Sequence, residues 1–115
     1  MVEYFGEKTF LEEITDDQAV WVARGVHKNV YAQEIENYAY SLPTWSSRDK
    51  IAAFLKTTLL WQQFEPHAIP LKEFANRWLS DQMMGIAEVQ VNPSGKTSRV
   101  LALTSEEFQA KVVIH

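Results

Sequence analysis

With 115 residues and a mass of 13.3 kDa, the chain has the length of one domain, residues 1–115. Its 46% apolar and 12% aromatic content excludes a disordered chain, and a cysteine count of zero excludes disulfides, thiolate metal sites and thiol catalysis. Its 15 acidic against 11 basic residues give a net charge of −4, and the basic residues are scattered rather than drawn into a stripe, which speaks against nucleic-acid binding.

The first eight residues, Met1 to Lys8, lack the basic start and apolar run of a signal peptide. No apolar stretch approaches the roughly 20 residues a spanning helix needs, so the expectation is a cytoplasmic protein with no membrane partner. Surface scaling for this mass gives about 6,500 Å² folded against roughly 19,000 Å² extended, enough burial for one core.

Residues 7–14 predict a short helix with Phe10, Leu11 and Ile14 on one face. Ala19–Ala23 and Val30–Ile35 are rich in strand formers and flank a Gly25–Asn29 turn, which predicts an antiparallel hairpin. Asn37–Leu42 follows as a third strand ending at Pro43. Ser46-Ser-Arg-Asp49 has the pattern of a capping box, and Ile51, Phe54, Leu55 and Leu59 then form a one-sided stripe at helical spacing. Trp61–Glu65 alternates as a short strand, which Pro66 and Pro70 confine to an edge or a loop. Pro70 suits the first turn of a helix in which Leu71, Phe74, Ala75, Trp78 and Leu79 share a face.

Gly85 ends that helix or starts the next element. Ile86–Val91 alternates as a strand, Asn92-Pro-Ser-Gly95 turns, and Arg99–Leu103 returns. Thr104-Ser-Glu-Glu107 is a second capping box, opening a short helix with Phe108 and Val112 inward. These elements predict an α+β fold: a single-layer antiparallel or mixed sheet, two main helices on one face, and short terminal helices.

Three motifs stand in order along Leu42–Phe108: Leu42-Pro-Thr-Trp45, Phe64-Glu-Pro-His-Ala-Ile-Pro-Leu71 and Phe74-Ala-Asn-Arg-Trp-Leu79. Together with the Trp21 strand they resemble a bacterial family known only as domain of unknown function 2750. Met83-Met-Gly85 and the long Asn92–Arg99 turn depart from that pattern. The Asn92–Gly95 turn and the strand-then-helix order are more loosely similar to SseB-type domains. The resemblance implies a small bacterial cytoplasmic protein and supplies no catalytic residue.

Glu65 and His67 stand two apart, so on a strand both side chains share a face and could begin a metal site or an acid/base pair. A metal site needs three or four ligands, and His27 and His115 are distant in sequence; a proline-flanked loop explains Glu65 and His67 equally well, so no metal or cofactor is expected. No nucleophile elbow, phosphate loop or dinucleotide turn is present, and Asn92-Pro-Ser-Gly-Lys96 reads as a hairpin turn.

Among the tryptophans, Trp78 lies on the stripe with Phe74, Trp45 holds a staple position before a helix, and Trp61 is expected half exposed. Exposed Trp with nearby Arg is interface chemistry, which names Trp45, Arg48, Trp61 and Arg77; the plainer reading makes every Trp a core or staple residue. The leading expectation is therefore a noncatalytic protein-interaction module, regulatory or immunity-like, whose partner is another protein or a second copy. Its acidic charge would suit a basic partner. The alternative is a small hydrolase or ligand-binding protein using Glu65 and His67.

Overall fold

The computed structural model of the chain describes residues 2–81, 84–97 and 99–115, with side chains described from residue 6 onward. Met83, part of the connection that departs from the family pattern, lies outside them. In chain order the elements are α1 (Val2–Asp17), β1 (Ala19–Gly25), β2 (Gln33–Glu36), β3 (Ala39–Thr44), α2 (Arg48–Thr57), β4 (Phe64–Pro70) and α3 (Leu71–Glu73). α3 runs directly into a π-helical turn (Phe74–Trp78), followed by β5 (Ile86–Val91), β6 (Ala102–Thr104) and α4 (Ser105–Lys111). The α+β class is the one the sequence predicts. α1, at 16 residues, is much longer than the helix read over 7–14.

The strands form two ladders, β1-β4 and β2-β3-β5-β6. β3 and β5 are parallel and every other named pair is antiparallel. One bridge joins the ladders: the Trp21 and Trp45 backbones exchange two hydrogen bonds, each 2.9 Å. Successive residues of a strand present their N–H and C=O to opposite edges. Thr44 C=O accepts from Asn92 N–H on the β5 side, so Trp45 faces the other edge, where β2 has already ended. β1 therefore takes up the edge of β3 that β2 leaves free.

Alternation along β1 assigns the layers. Val20 and Val22 enter one core with Phe10, Ile14, Leu42, Phe74, Val89, Leu103 and Phe108; Ala23 enters a second core with Trp45, Ile51, Phe54 and Leu55. The expected pair of helices on one face is thus divided. α1, α3 with its π turn, and α4 cover one face, while α2 packs on the other. The first group meets at an aromatic triad, with Phe108 edge-on to both Phe10 (6.3 Å) and Phe74 (5.3 Å). α2 takes the opposite face because Trp45, one register step from the inward Thr44, points there and must be covered.

Several local expectations shift for identifiable reasons. The 19–35 hairpin closes only briefly, through Gly25 N–H to Asn29 C=O (2.7 Å), Tyr31 N–H to Ala23 C=O (2.9 Å) and an Arg24–Val30 bridge. The chain then leaves β1, which pairs with β4 instead. Asn37 and Tyr38, read as strand, form the β2–β3 turn, with φ of 31° and 68°. Such a two-residue turn with positive φ matches strand twist.

The N-cap of α2 is Ser47, whose oxygen accepts from Lys50 N–H, and not Ser46, whose hydroxyl is drawn to Glu13. Leu59 lies past the helix end with φ of 61° and is 75% exposed, so it leaves the stripe. In the helix that begins after Pro70, Leu79 N–H reaches back five residues to Phe74 C=O (3.1 Å). This wider turn rotates the end of the helix, leaving Trp78 only half-buried beside Phe74. Gly85 needs its lack of a side chain: φ is +64° and a Cβ would stand 2.5 Å from the Tyr38 carbonyl oxygen.

The Thr104 capping box forms as read, with Thr104 and Glu107 exchanging hydrogen bonds of 3.0 Å. Hydrogen bonding to Thr104, backbone first and side chain second, holds the Glu107 carboxyl below its ordinary pKa.

The Trp45 indole is fully buried and its Nε1–H donates to Pro93 C=O at 2.8 Å. Trp45→Phe keeps an aromatic ring but strips that buried carbonyl of its partner. It should lower unfolding free energy by about 1–3 kcal/mol with an unchanged denaturant slope. An unaltered midpoint would show that the bond contributes nothing.

Candidate functional site

The exposed apolar side chains include Trp61 (59%) and Val26 (80%), and both line one surface cleft of about 280 Å³ at the Gly25–Phe64 end of the β1–β4 ladder. The antiparallel register sets Arg24 opposite Glu65, and Arg24 Nη2 meets Glu65 Oε1 at 3.1 Å. Both side chains are substantially exposed (36% and 65%), so this pair orients the guanidinium more than it stabilises the fold. Lys28, set in the turn after β1 with a φ of 63°, lines the same cleft and has no ion-pair partner among the described residues. The cleft thus joins an exposed indole, an exposed valine, an oriented guanidinium and a free ammonium.

The four sequence-named interface residues do not share this surface. Trp45 has no exposed area, so it is a core residue. Arg48 is exposed at the start of α2, whereas Trp61 follows its end, about 15 Å away by helix rise. Arg77 lies in a separate depression with Pro70, Lys72, Glu73 and Asn76. Of the four, Trp61 alone lines the cleft. Glu65 joins it there, engaged with Arg24, while half-buried His67 pairs with Val22 in register and is not among the cleft's lining residues. Among the described residues no three His, Asp or Glu side chains cluster as a metal would require. Arg24, Val26 and Lys28 carry no local sequence signal, because their proximity to Trp61 depends on β1 choosing β4.

A second polar cluster also escapes sequence reading. Ser46 Oγ donates to Glu13 Oε1 (2.5 Å), Lys50 Nζ pairs with the same carboxylate, and Lys50 Nζ lies 3.3 Å from Ser46 Oγ. Asn92 completes the group, accepting from Ser46 N–H (2.9 Å) and donating to Ser46 Oγ (3.1 Å). Serine, lysine and glutamate within hydrogen-bond reach are the ingredients of an activated nucleophile. Ser46 is fully buried, however, and Lys50 is ion-paired, so the group acts as a clamp between α1, α2 and the β5–β6 loop.

The Lys50 hydrogen bond, then that of Ser46, lowers the Glu13 pKa below its ordinary value, against a smaller upward push from burial. A lowered folded-state pKa gives stability that is present above the unfolded pKa and lost as pH falls through the folded one. Glu13→Gln keeps the acceptor and removes the charge. It should cost about 1 kcal/mol or less at neutral pH, since both side chains are over one-third exposed (39% and 38%), and the gap to wild type should close on acidification. A gap that stays constant down to strong acid would contradict the charge-based clamp; denaturant midpoints against pH measure it.

No helix among the described residues is long and apolar enough to cross a membrane. No curated protein matches the chain. A family model described as "Protein of unknown function (DUF2750)" matches residues 7–112, from α1 through the end of α4. The chain therefore belongs to the DUF2750 family.

Proposed function

We propose that the chain is a noncatalytic protein-interaction module, regulatory or immunity-like, that grips its partner at the Trp61 cleft. The observation that carries this reading is an indole left 59% exposed beside an 80% exposed valine and two cations in one concavity. Trp and Arg are the side chains that concentrate binding energy when a partner desolvates them.

The net charge of −4 alone would favour a basic partner. At contact distance the local charge decides, because fields from charges beyond about 8 Å are screened at physiological salt. Lys28 and the unused donors of Arg24 select a partner segment with a carboxylate next to an apolar side chain. Glu65 supports this by fixing the guanidinium plane, which spares part of its ordering cost on binding.

A photo-crosslinkable residue placed at Gln62 captures the partner, and purified components then give the affinity. Trp61→Ala should weaken binding at least about thirtyfold, the loss of a 2 kcal/mol hot spot, and leave the unfolding midpoint within error of wild type. Lys28→Glu should weaken it further. Undiminished affinity of both variants would overturn the reading. If the captured partner is a second copy, sedimentation will show a dimer that Trp61→Ala dissociates.

A further inference from the structure

The face of β2, β3 and β5 on the α2 side carries a directed chain of polar groups. Glu88 offers only acceptors, so the hydroxyl in the Ser41 Oγ to Glu88 Oε2 contact (2.8 Å) belongs to serine. Ser41 Oγ must then accept from Gln90 Nε2 (2.9 Å), and Gln90 gives its second N–H to Gln33 Oε1 (2.9 Å). Each bond fixes the direction of the next, so one carboxylate sets the orientation of both amides.

Two groups are left over. Gln90 is 7% exposed, and both its N–H donors are used. Its Oε1 accepts no hydrogen bond among the described residues, yet no fully buried side-chain polar atom lacks a partner. Oε1 is therefore not fully buried, and Gln90 lines a cavity of about 330 Å³. Gln33 lines the same cavity and brings its spare Nε2 donor. Tyr31, Phe54, Pro93 and Val100 contribute apolar and aromatic wall, and among the described residues no charged side chain lines it.

Part of the wall is anchored. Pro93 is fixed by the Trp45 indole, Asn92 by Ser46, and Gly95 packs so closely on α2 that a Cβ would come within 2.8 Å of Thr58 Cγ2. Gly95 has φ of +79°, so this loop shape is one that side-chain-bearing residues rarely take.

We propose that this cavity binds a small neutral planar molecule with a cis-amide edge, a ring N–H beside a ring C=O, as in a pyrimidine base or related cyclic amide. The N–H donates to Gln90 Oε1, the C=O accepts from Gln33 Nε2, and the ring packs against Tyr31 and Phe54. Among the described residues the lining offers no counter-ion to an ionic ligand, and the volume lies at the small end of ligand pockets.

Uracil is the probe and N,N-dimethyluracil, which lacks the N–H, is its control; both are titrated into the full chain to about 10 mM and followed by NMR. Uracil should give saturable shifts in the Gln33 and Gln90 side-chain amides and the Tyr31 ring, with dimethyluracil much weaker. Gln33→Ala, at an exposed position that spares the fold, should weaken uracil about fivefold, one neutral hydrogen bond. Gln90→Leu should weaken it more, and Trp61→Ala should have no effect. The proposal is overturned by no shift at the highest concentration, by equal shifts from dimethyluracil, by unchanged affinity in Gln33→Ala, or by dependence on Trp61.

Discussion

Trp45 stands where the two ladders, the two cores and the β5–β6 loop come together, and the rest of the molecule is arranged around that junction. Its backbone supplies the bridge between β1 and β3, its ring packs on Phe54 with centroids 4.9 Å apart, and its N–H holds Pro93. The neighbours extend the effect. Thr44 Oγ1 donates to Gln90 C=O at 2.7 Å, and Ser46 reaches α1 through Glu13. Three consecutive residues thus pin β5, the β5–β6 loop, α1 and α2 to the end of β3. Truncating a fully buried tryptophan costs about 3–5 kcal/mol, a large share of a small domain's stability.

From this junction the two faces of the sheet acquire different characters. On one, α1, α3 and α4 close over an apolar core around Phe10, Phe74 and Phe108. Gln109 Nε2 to Ala75 C=O (2.8 Å) and Lys111 to Glu7 (3.0 Å) tie those helices together. On the other, α2 covers β1 and β4 through Trp45, Phe54 and Phe64, and the β2-β3-β5 surface beside it is polar. Both candidate binding features lie on or beside this second face. Phe64 lines the Trp61 cleft and Tyr31 lines the Gln90 cavity, and their rings are 5.4 Å apart, a common wall.

What the sequence made legible is local. The Thr104–Glu107 box, the Ile86–Val91 strand and the inward Phe54 and Phe74 depend on spacing within one or two turns, and all are present. Choices settled by distant partners were not legible. β1 has a neighbour in Val30–Ile35 but pairs with β4, because the Trp21–Trp45 bridge and the covering α2 reward that arrangement. The capping-box pattern with Asp49 favours Ser46, but Glu13, 33 residues away, claims that hydroxyl and Ser47 caps the helix instead. The same limit applies to the site. Trp61 is exposed, but in the turn before β4 and not in the strand read over 61–65, since β4 spans Phe64–Pro70. Arg24, Lys28 and the Glu88-to-Gln33 chain come together only once the strands are in register.

Native-state hydrogen exchange at the Trp21 and Trp45 amides tests the junction most directly. If it holds the two ladders as one cooperative unit, both amides should exchange only through global unfolding, with the same opening free energy as Val89 at the centre of β5. Exchange at either tryptophan through a smaller, local opening, while Val89 stays fully protected, would mean the ladders separate independently and Trp45 does not unite them.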